Sequence, residues 1–271
     1  MERQRAKTPA PMPKSASADF GYMASLIFAL AKRDLTAQYR DAAFGIVWAI
    51  LKPTLFMMVF SLLKGIMRLP SEGAPYPLFS FTGVALWLLF VSVMQGTTPS
   101  IIRNAGIIRK MPTPRIVFPL SGLTISLSEF AFAMIPLAAL VVYFDYPVDW
   151  HALYLIPIAL ITAAAAFALA LPIATISVFK NDLMLALPFL LQAGLFLSPI
   201  LYPLSSVPEN YRAIYALNPM VGPLEGARSA LLLRQEPDWL LFIPTFAMIA
   251  VALPLSLWVY HRVSRYFADF F

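Results

Sequence analysis

The sequence predicts an all-α membrane protein with six transmembrane helices. Two bulk observations carry that expectation. Hydrophobic residues make up 60% of the 271-residue chain, and its mean hydropathy is +0.74. Charged residues are only 13%, about half of the ~25% usual in globular domains. The third observation is local: apolar stretches recur that are near or above the ~20 residues a helix needs to cross a bilayer.

The chain opens with Met1–Ala18, which carries Pro9, Pro11 and Pro13 among basic and small residues. It lacks the apolar core of a signal peptide and reads as a disordered cytoplasmic tail, residues 1–18. Residues 19–40 follow as an amphipathic helix. Phe20, Met23, Leu26, Ile27, Leu30 and Ala31 keep helical spacing, and Lys32, Arg33, Asp34 and Gln38 come after them. That pattern suits a helix lying in the membrane interface, or a solvated helix packed on a partner. The membrane unit proper is expected over 41–271.

Its spans are expected near Phe44–Leu63, Leu78–Thr97, Ile116–Phe144, Leu153–Phe179, Met184–Leu201 and Leu240–Tyr260. The third is long, and Pro136 could tilt or kink it. Six spans put both termini on one side. With the termini inside, fourteen Lys and Arg lie on that side and five on the other. The bias favours cytoplasmic termini. No internal repeat is strong enough to suggest a transporter built from two halves of one chain.

Between the last two spans, Leu197–Leu231 is broken by Pro199, Pro203, Pro208, Pro219 and Pro223, and it carries Glu209, Arg212, Glu225 and Arg228. It cannot cross lipid as one helix, because each break frees backbone groups that hydrocarbon cannot satisfy. It is too apolar for an ordinary loop. Short helices that dip into the outer membrane face and line a cavity are expected there.

The chain has no cysteine, which excludes disulfides, thiolate metal sites and cysteine nucleophiles. His151 and His261 lie far apart, and the acids show no metal-ligand spacing, so no metal site is predicted. None of the eleven glycines precedes a lysine, so no phosphate-binding G-x-x-x-x-G-K-[ST] loop exists. No G-x-S-x-G is present either. No catalytic constellation and no cofactor are expected in this chain.

Glu129 is the one acid deep in a span, where an ionisable group is costly and marks a functional candidate. It could make an interhelical polar contact, line a cavity that touches cargo, or relay protons. Lys52 is the other charge within a span; it could snorkel, line the pathway or meet Glu129. Trp48, Phe60, Trp87 and Phe90 also sit inside spans, with Phe56. They could pack between helices, face lipid, or face a pore. An aromatic pore can pass sugar rings by stacking on their apolar C–H faces, without gripping a particular hydroxyl. The basic loop Thr98–Arg115 has a brief helical pattern closed by Pro112 and Pro114. It could satisfy membrane topology alone or insert into a groove of a cytoplasmic subunit.

Four ordered blocks carry a resemblance. They are RDLTAQYRDAAFGIVWAILKP at 33–53, YPLFSFTGVALWLLF at 76–90, the N-x-x-[LI]-[IL]-x-K…P-R loop at Asn104–Arg115, and SPILYPLSSVPENYRAIYALNPMVGPLEGARSALL at 198–232. Together they resemble ABC type-2 permeases that export polysaccharides and polyol phosphates, such as O-antigen, capsule and teichoic-acid exporters. The resemblance covers about residues 26–265. It implies a homodimer bound to two separate ATPase subunits, which would hold ATP and Mg, and a lipid-linked glycan as cargo in the inner membrane. By position it assigns coupling to the ATPase to Asn104, Ile107, Ile108, Arg109 and Lys110. It places a periplasmic gate at Tyr202, Pro203, Pro208, Tyr211, Asn218 and Pro219. The substrate channel expected from the spans comprises Trp48, Phe60, Trp87, Phe90 and Glu129. A proton-driven secondary transporter using Glu129 and a membrane-embedded glycosyl- or acyltransferase are the alternatives; the latter class usually clusters Asp, Glu or His at a membrane face, which this chain does not.

Overall fold

The computed structural model describes residues 20–40, 44–111 and 113–270. The expected tail 1–18 and Pro112 of the basic loop lie outside them. Among the described residues every regular element is helical. Among the described residues, five helices are long and apolar enough to cross a bilayer: Gly45–Met67, Tyr76–Thr97, Val117–Tyr143, Trp150–Ser177 and Trp239–Ser264.

The first helix, α1 (Phe20–Arg40), turns Met23, Leu26, Ile27, Leu30 and Ala31 toward the core. Phe20, at the start of the same stripe, is 86% exposed. The first span, α2 (Trp48–Met67), follows a single 3₁₀ turn at Gly45–Val47. It stops at Arg68, which takes the left-handed conformation with φ 52° and donates its N–H to the Lys64 carbonyl. Pro75 then caps α3 (Tyr76–Thr97), and Pro77 stands in its first turn, where a missing N–H costs nothing. This helix is the centre of the bundle. Phe79, Phe81, Val84, Leu86, Leu89 and Val93 are buried on all sides of it, as expected for a helix with no polar face.

Two short helices, α4 (Ser100–Arg103) and α5 (Ala105–Lys110), lead into α6 (Val117–Tyr143). Pro136 sits within α6, which continues to Tyr143. α6 lies close on α3 because both present glycine at the crossing. A Cβ at Gly122 would stand 2.8 Å from the Gly96 backbone. Small residues let membrane helices approach to van der Waals contact in this way.

Next comes α7 (Leu155–Ser177), whose Ala163, Ala165, Ala166, Ala168, Ala170 and Ala174 are all buried. Where a fifth span was expected over Met184–Leu201, the structure has α8 (Asp182–Phe196), an apolar helix of 15 residues that is shorter than the five long ones. It ends where Ser198 precedes Pro199, since the residue before a proline is pushed out of the helical region. The chain then turns through a 3₁₀ element at Leu204–Ser206 into α9 (Glu209–Ala216) and α10 (Val221–Arg228). A π-turn at Ser229–Leu233 ends at Arg234, again left-handed. The last span, α11 (Ile243–Ser264), packs along α7, and Ser256 Oγ donates to the Ala168 carbonyl at 2.8 Å. A final turn, α12 (Phe267–Phe270), tucks Phe267 against Tyr260.

Candidate functional site

Three regions gather the sequence-predicted site residues. The first is the α4–α5 corner. Asn104 is the joint between the two short helices and is 4% exposed. Its Nδ2 donates to the Ser100 carbonyl at 2.8 Å, and its Oδ1 accepts from Arg33 Nη2 of α1 at 2.6 Å. A corner made by one side chain is thereby tied to α1. Ile108 points into the core and Ile107 is half-buried, while Arg109 and Lys110 are exposed. The five residues therefore divide into an anchored inner face and a cationic outer one. A groove beside them is lined by Arg33, Ala37, Gly106, Ile107, Lys110 and Met111.

The second region is a cavity of about 420 Å³ lined by residues of α1, α2, α3, α4 and α6. Glu129 lines it and is the acceptor of a three-helix cluster. Tyr39 Oη donates to Glu129 Oε1 at 2.6 Å, Gln38 Nε2 to the same oxygen at 3.0 Å, and Ser92 Oγ to Oε2 at 2.6 Å. Burial, reinforced by that hydrogen bond to Glu129, raises the Tyr39 hydroxyl above its ordinary pKa. Tyr39 thus stays a proton donor. Lys52 also lines the cavity, but no ion pair joins it to Glu129.

The aromatic residues lining this cavity are Tyr39, Phe56 and Phe130. Trp48, Phe60, Trp87 and Phe90 are not among its lining residues. Trp87 and Phe90 stack on each other with centroids 5.6 Å apart and are 5% and 7% exposed. Trp87 reaches this depth because α8 offers Gly194, where a Cβ would stand 2.9 Å from the indole. Phe60 is buried beside Phe56, and Trp48 packs edge-on against Phe44. Of the five expected channel residues, only Glu129 lines the cavity within one chain.

The third region is the 197–228 segment. Tyr202 and Tyr215 share a hydrogen bond of 2.6 Å between their hydroxyls. Burial and that contact raise the Tyr215 pKa. Asn218 Nδ2 donates to Leu197 O and Ser198 Oγ, both at 3.0 Å, and its Oδ1 receives the Met220 N–H. Asn218 thus ties the end of α8 to the start of α10. The Pro219 carbonyl accepts from Thr245 of α11 at 2.6 Å. Pro203 is buried, Pro208 caps α9, and Tyr211 is 63% exposed.

The centre of this segment is a residue that sequence reasoning counted only as an outer charge. Arg228 is 1% exposed. Its Nη2 donates to the Ile200 carbonyl at 2.7 Å, and its Nη1 donates to Tyr202 O at 3.3 Å and to Glu225 Oε1 at 2.9 Å. Its guanidinium lies 3.9 Å from the centroid of Phe79 on α3. Glu225 Oε1 also accepts the Leu204 N–H at 3.1 Å. The signal was present as opposite charges three residues apart in an apolar stretch, the spacing of an intrahelical pair.

The class these features define is a multi-pass, all-helical membrane protein with a lateral cavity, a cationic corner at one end and a folded-back segment at the other. Residues 25–232 match the model of the ABC-2 type transporter family, and the chain belongs to that family. It is therefore a transport permease and not an enzyme, and the ATPase of such a transporter is a separate subunit. The chain is 31% identical over 237 residues to the O-antigen export system permease protein RfbA of Myxococcus xanthus, covering 86% of this chain and 88% of that one. A Klebsiella pneumoniae protein of the same name is 29% identical over 258 residues, covering 93% and 96%. The polysialic acid transport protein KpsM of Escherichia coli is 22% identical over 235 residues, covering 85% and 91%.

Proposed function

We propose that this chain is the membrane subunit of an ABC exporter that moves a lipid-linked cell-surface polysaccharide, of O-antigen type or related, across the inner membrane. The observation that carries this reading is near full-length similarity to permeases named for O-antigen export. The absence of a phosphate-binding loop in the sequence agrees with ATP and Mg being bound in the partner subunit.

In this reading the chain crosses the membrane six times, with α8 and the turns after it completing the fifth crossing. Tyr76 at the start of α3 donates to the Leu201 carbonyl at 3.0 Å, and Tyr154 before α7 packs edge-on against Trp239 before α11. Both contacts support placing Leu201 and Trp239 at the same end of the bundle. The termini and the α4–α5 corner then face the cytoplasm, as the Lys and Arg bias requires. Residues 19–40 form the interface helix and 41–271 the membrane unit.

The exposed cations Arg109 and Lys110 present the corner to the ATPase. The fixed face of Asn104, Ile107 and Ile108 passes its movement to α1. Tyr202, Pro203, Pro208, Tyr211, Asn218 and Pro219 form the periplasmic gate. A second copy completes the pathway, because the helices of one chain leave little room for a glycan-wide pore. Trp48, Phe60, Trp87, Phe90 and Glu129 act on that pathway from within the bundle wall or at its cavity.

The test is deletion of this gene followed by assay of surface glycan and of glycan held on its intracellular lipid carrier. Loss of surface glycan with accumulation of the carrier-linked form is expected. Restoration should need both this chain and its ATPase. Unchanged surface glycan, or restoration by the permease with an ATPase that cannot hydrolyse ATP, would overturn the reading.

A further inference from the structure

We infer that α12, the turn after the last span, is a brace that seats α5 against the ends of α7 and α11, so that movement of the α4–α5 corner reaches the last span as well as α1. The brace itself is read from packing; its role in coupling rests on the proposed docking of the ATPase at that corner.

α12 carries Phe267 and Phe270 three residues apart, which puts both on one face of the turn. Both meet Phe179, in the turn between α7 and α8. The Phe179 and Phe270 rings stand edge to face with centroids 4.8 Å apart, and those of Phe179 and Phe267 lie 6.4 Å apart. Phe267 also packs edge-on against Tyr260, near the end of α11, at 5.8 Å. α12 lies against α5 as well. One turn of helix thus touches three separated parts of the chain: the short helix that leads toward α6, the turn after α7 and the end of α11. Phe267 is its inner residue and is completely buried, whereas Phe270 and Tyr266 are exposed. A helix of four residues cannot hold its own shape, so these contacts fix its place.

α5 needs such a support. It has six residues, also too few to be stable alone, and its Arg109 and Lys110 face outward. At its start Asn104 ties it to Arg33 of α1. α12 adds a second hold, on α7 and α11. With both in place, a push on the outer face of α5 is passed to three long helices instead of being absorbed by local bending. The end of α11 also has a reason to shift. Tyr260 Oη and Nη1 of Arg115, just before α6, are buried with no hydrogen-bond partner among the described residues, and the charge of Arg115 acts on that hydroxyl. Buried polar groups left unbonded are costly, so a shift of α11 against α6 that joined them would be favoured.

The experiment uses the full-length permease, first alone in nanodiscs and then with its ATPase in cells. Hydrogen exchange of the permease alone reads the brace. Phe267→Ala should speed exchange of the α5 amides, and of Phe179 and Lys180, which bond back to Ile176. About tenfold is expected when a buried ring that holds a short element is removed, with α3 unchanged. Phe267→Leu, which refills most of the volume, should recover part of the protection. Phe179→Ala, on the other side of the contact, should loosen the same amides and add little to Phe267→Ala. It carries the test if Phe267→Ala does not fold. Unchanged exchange of α5 in the Ala variants, or a Leu variant no better than Phe267→Ala, would overturn the brace. In cells, Phe267→Ala should still co-purify with the ATPase, because Arg109 and Lys110 are intact, yet lose most surface glycan. Normal surface glycan despite a loosened α5 would overturn the role in coupling. Arg109→Glu with Lys110→Glu tests docking separately: if that variant exports normally, the docking reading falls, and exchange still decides the brace.

Discussion

Arg228 shows how one side chain can hold a segment that has little regular structure of its own. It bonds two carbonyls and one carboxylate and lies over Phe79, so α10, the turn after α8, and α3 meet at a single guanidinium. Burial disfavours both charges of the Arg228–Glu225 pair, and each is tolerable because the other is there. Removing one partner is therefore worse than removing both. Arg228→Met should cost about 3–5 kcal/mol, the usual penalty for orphaning a buried charge, and Arg228→Met with Glu225→Gln should recover part of that loss. Thermal unfolding of the two variants in detergent measures it, and equal midpoints would refute the pair's role. Glu129 is tuned differently, since its partners are neutral donors. Glu129→Gln keeps a carbonyl oxygen for Tyr39, and its amide N–H can donate to the Ser92 hydroxyl in place of the second oxygen, whereas Glu129→Leu leaves three donors facing apolar surface. Gln should be tolerated better than Leu in ATP-driven transport by proteoliposomes. A proton relay would instead lose transport in the Gln variant and make transport depend on a pH gradient.

Among the elements, the long helices were legible in the sequence because hydropathy over ~20 residues reports a segment long and apolar enough to cross a bilayer, whether it faces lipid or, like α3, other helices. The observed ends fall close to the expected ones, and proline and left-handed stops fix several of them. The corner at 100–110 was legible as a short basic helical pattern. Its division into anchored and exposed faces was not, because that depends on Arg33 reaching Asn104 across 71 residues of chain. The cavity was hidden for the same reason: which helices become neighbours is a tertiary fact, set here by Gly96 and Gly122 at the α3–α6 crossing. Hydropathy also cannot tell a lipid-facing aromatic from one seated on a glycine, as Trp87 is on Gly194. The corner's exposed face yields a direct prediction. Arg109→Glu with Lys110→Glu leaves Asn104 and Ile108 in place, so the permease should fold and insert normally. Its coupling to the ATPase should fail, seen as loss of export and of cargo-stimulated ATP hydrolysis. Normal values of both in the double variant would rule out the corner as the docking element.

At the scale of the whole molecule, the number of crossings decides which face each site serves. Taken alone, α8 is about 22 Å long at 1.5 Å per residue, short of the ~30 Å hydrocarbon core. For α8 to complete a crossing, the turns from 197 to 203 have to supply the remainder. They are backbone that lipid could not satisfy if it were bare. Asn218 and Arg228 satisfy it: between them they bond the carbonyls of Leu197, Ile200 and Tyr202 and the hydroxyl of Ser198. A short helix can in this way complete a crossing, provided the folded-back segment covers its end. The alternative is that α8 turns back without crossing. The Tyr211 helix would then lie on the cytoplasmic side and the end of α11 outside. The chain contains no cysteine, so single cysteines report position without background. Cysteine introduced at Tyr211 and at Gln235 should react with a membrane-impermeant maleimide in intact cells whose outer barrier is open to the reagent. Cysteine at Arg109 and at Ser264 should react only after the inner membrane is permeabilised. Reaction at Ser264 from outside, together with protection at Tyr211, would establish five crossings and put the Tyr202–Pro219 segment beside the ATPase, where it could not serve as the outer gate.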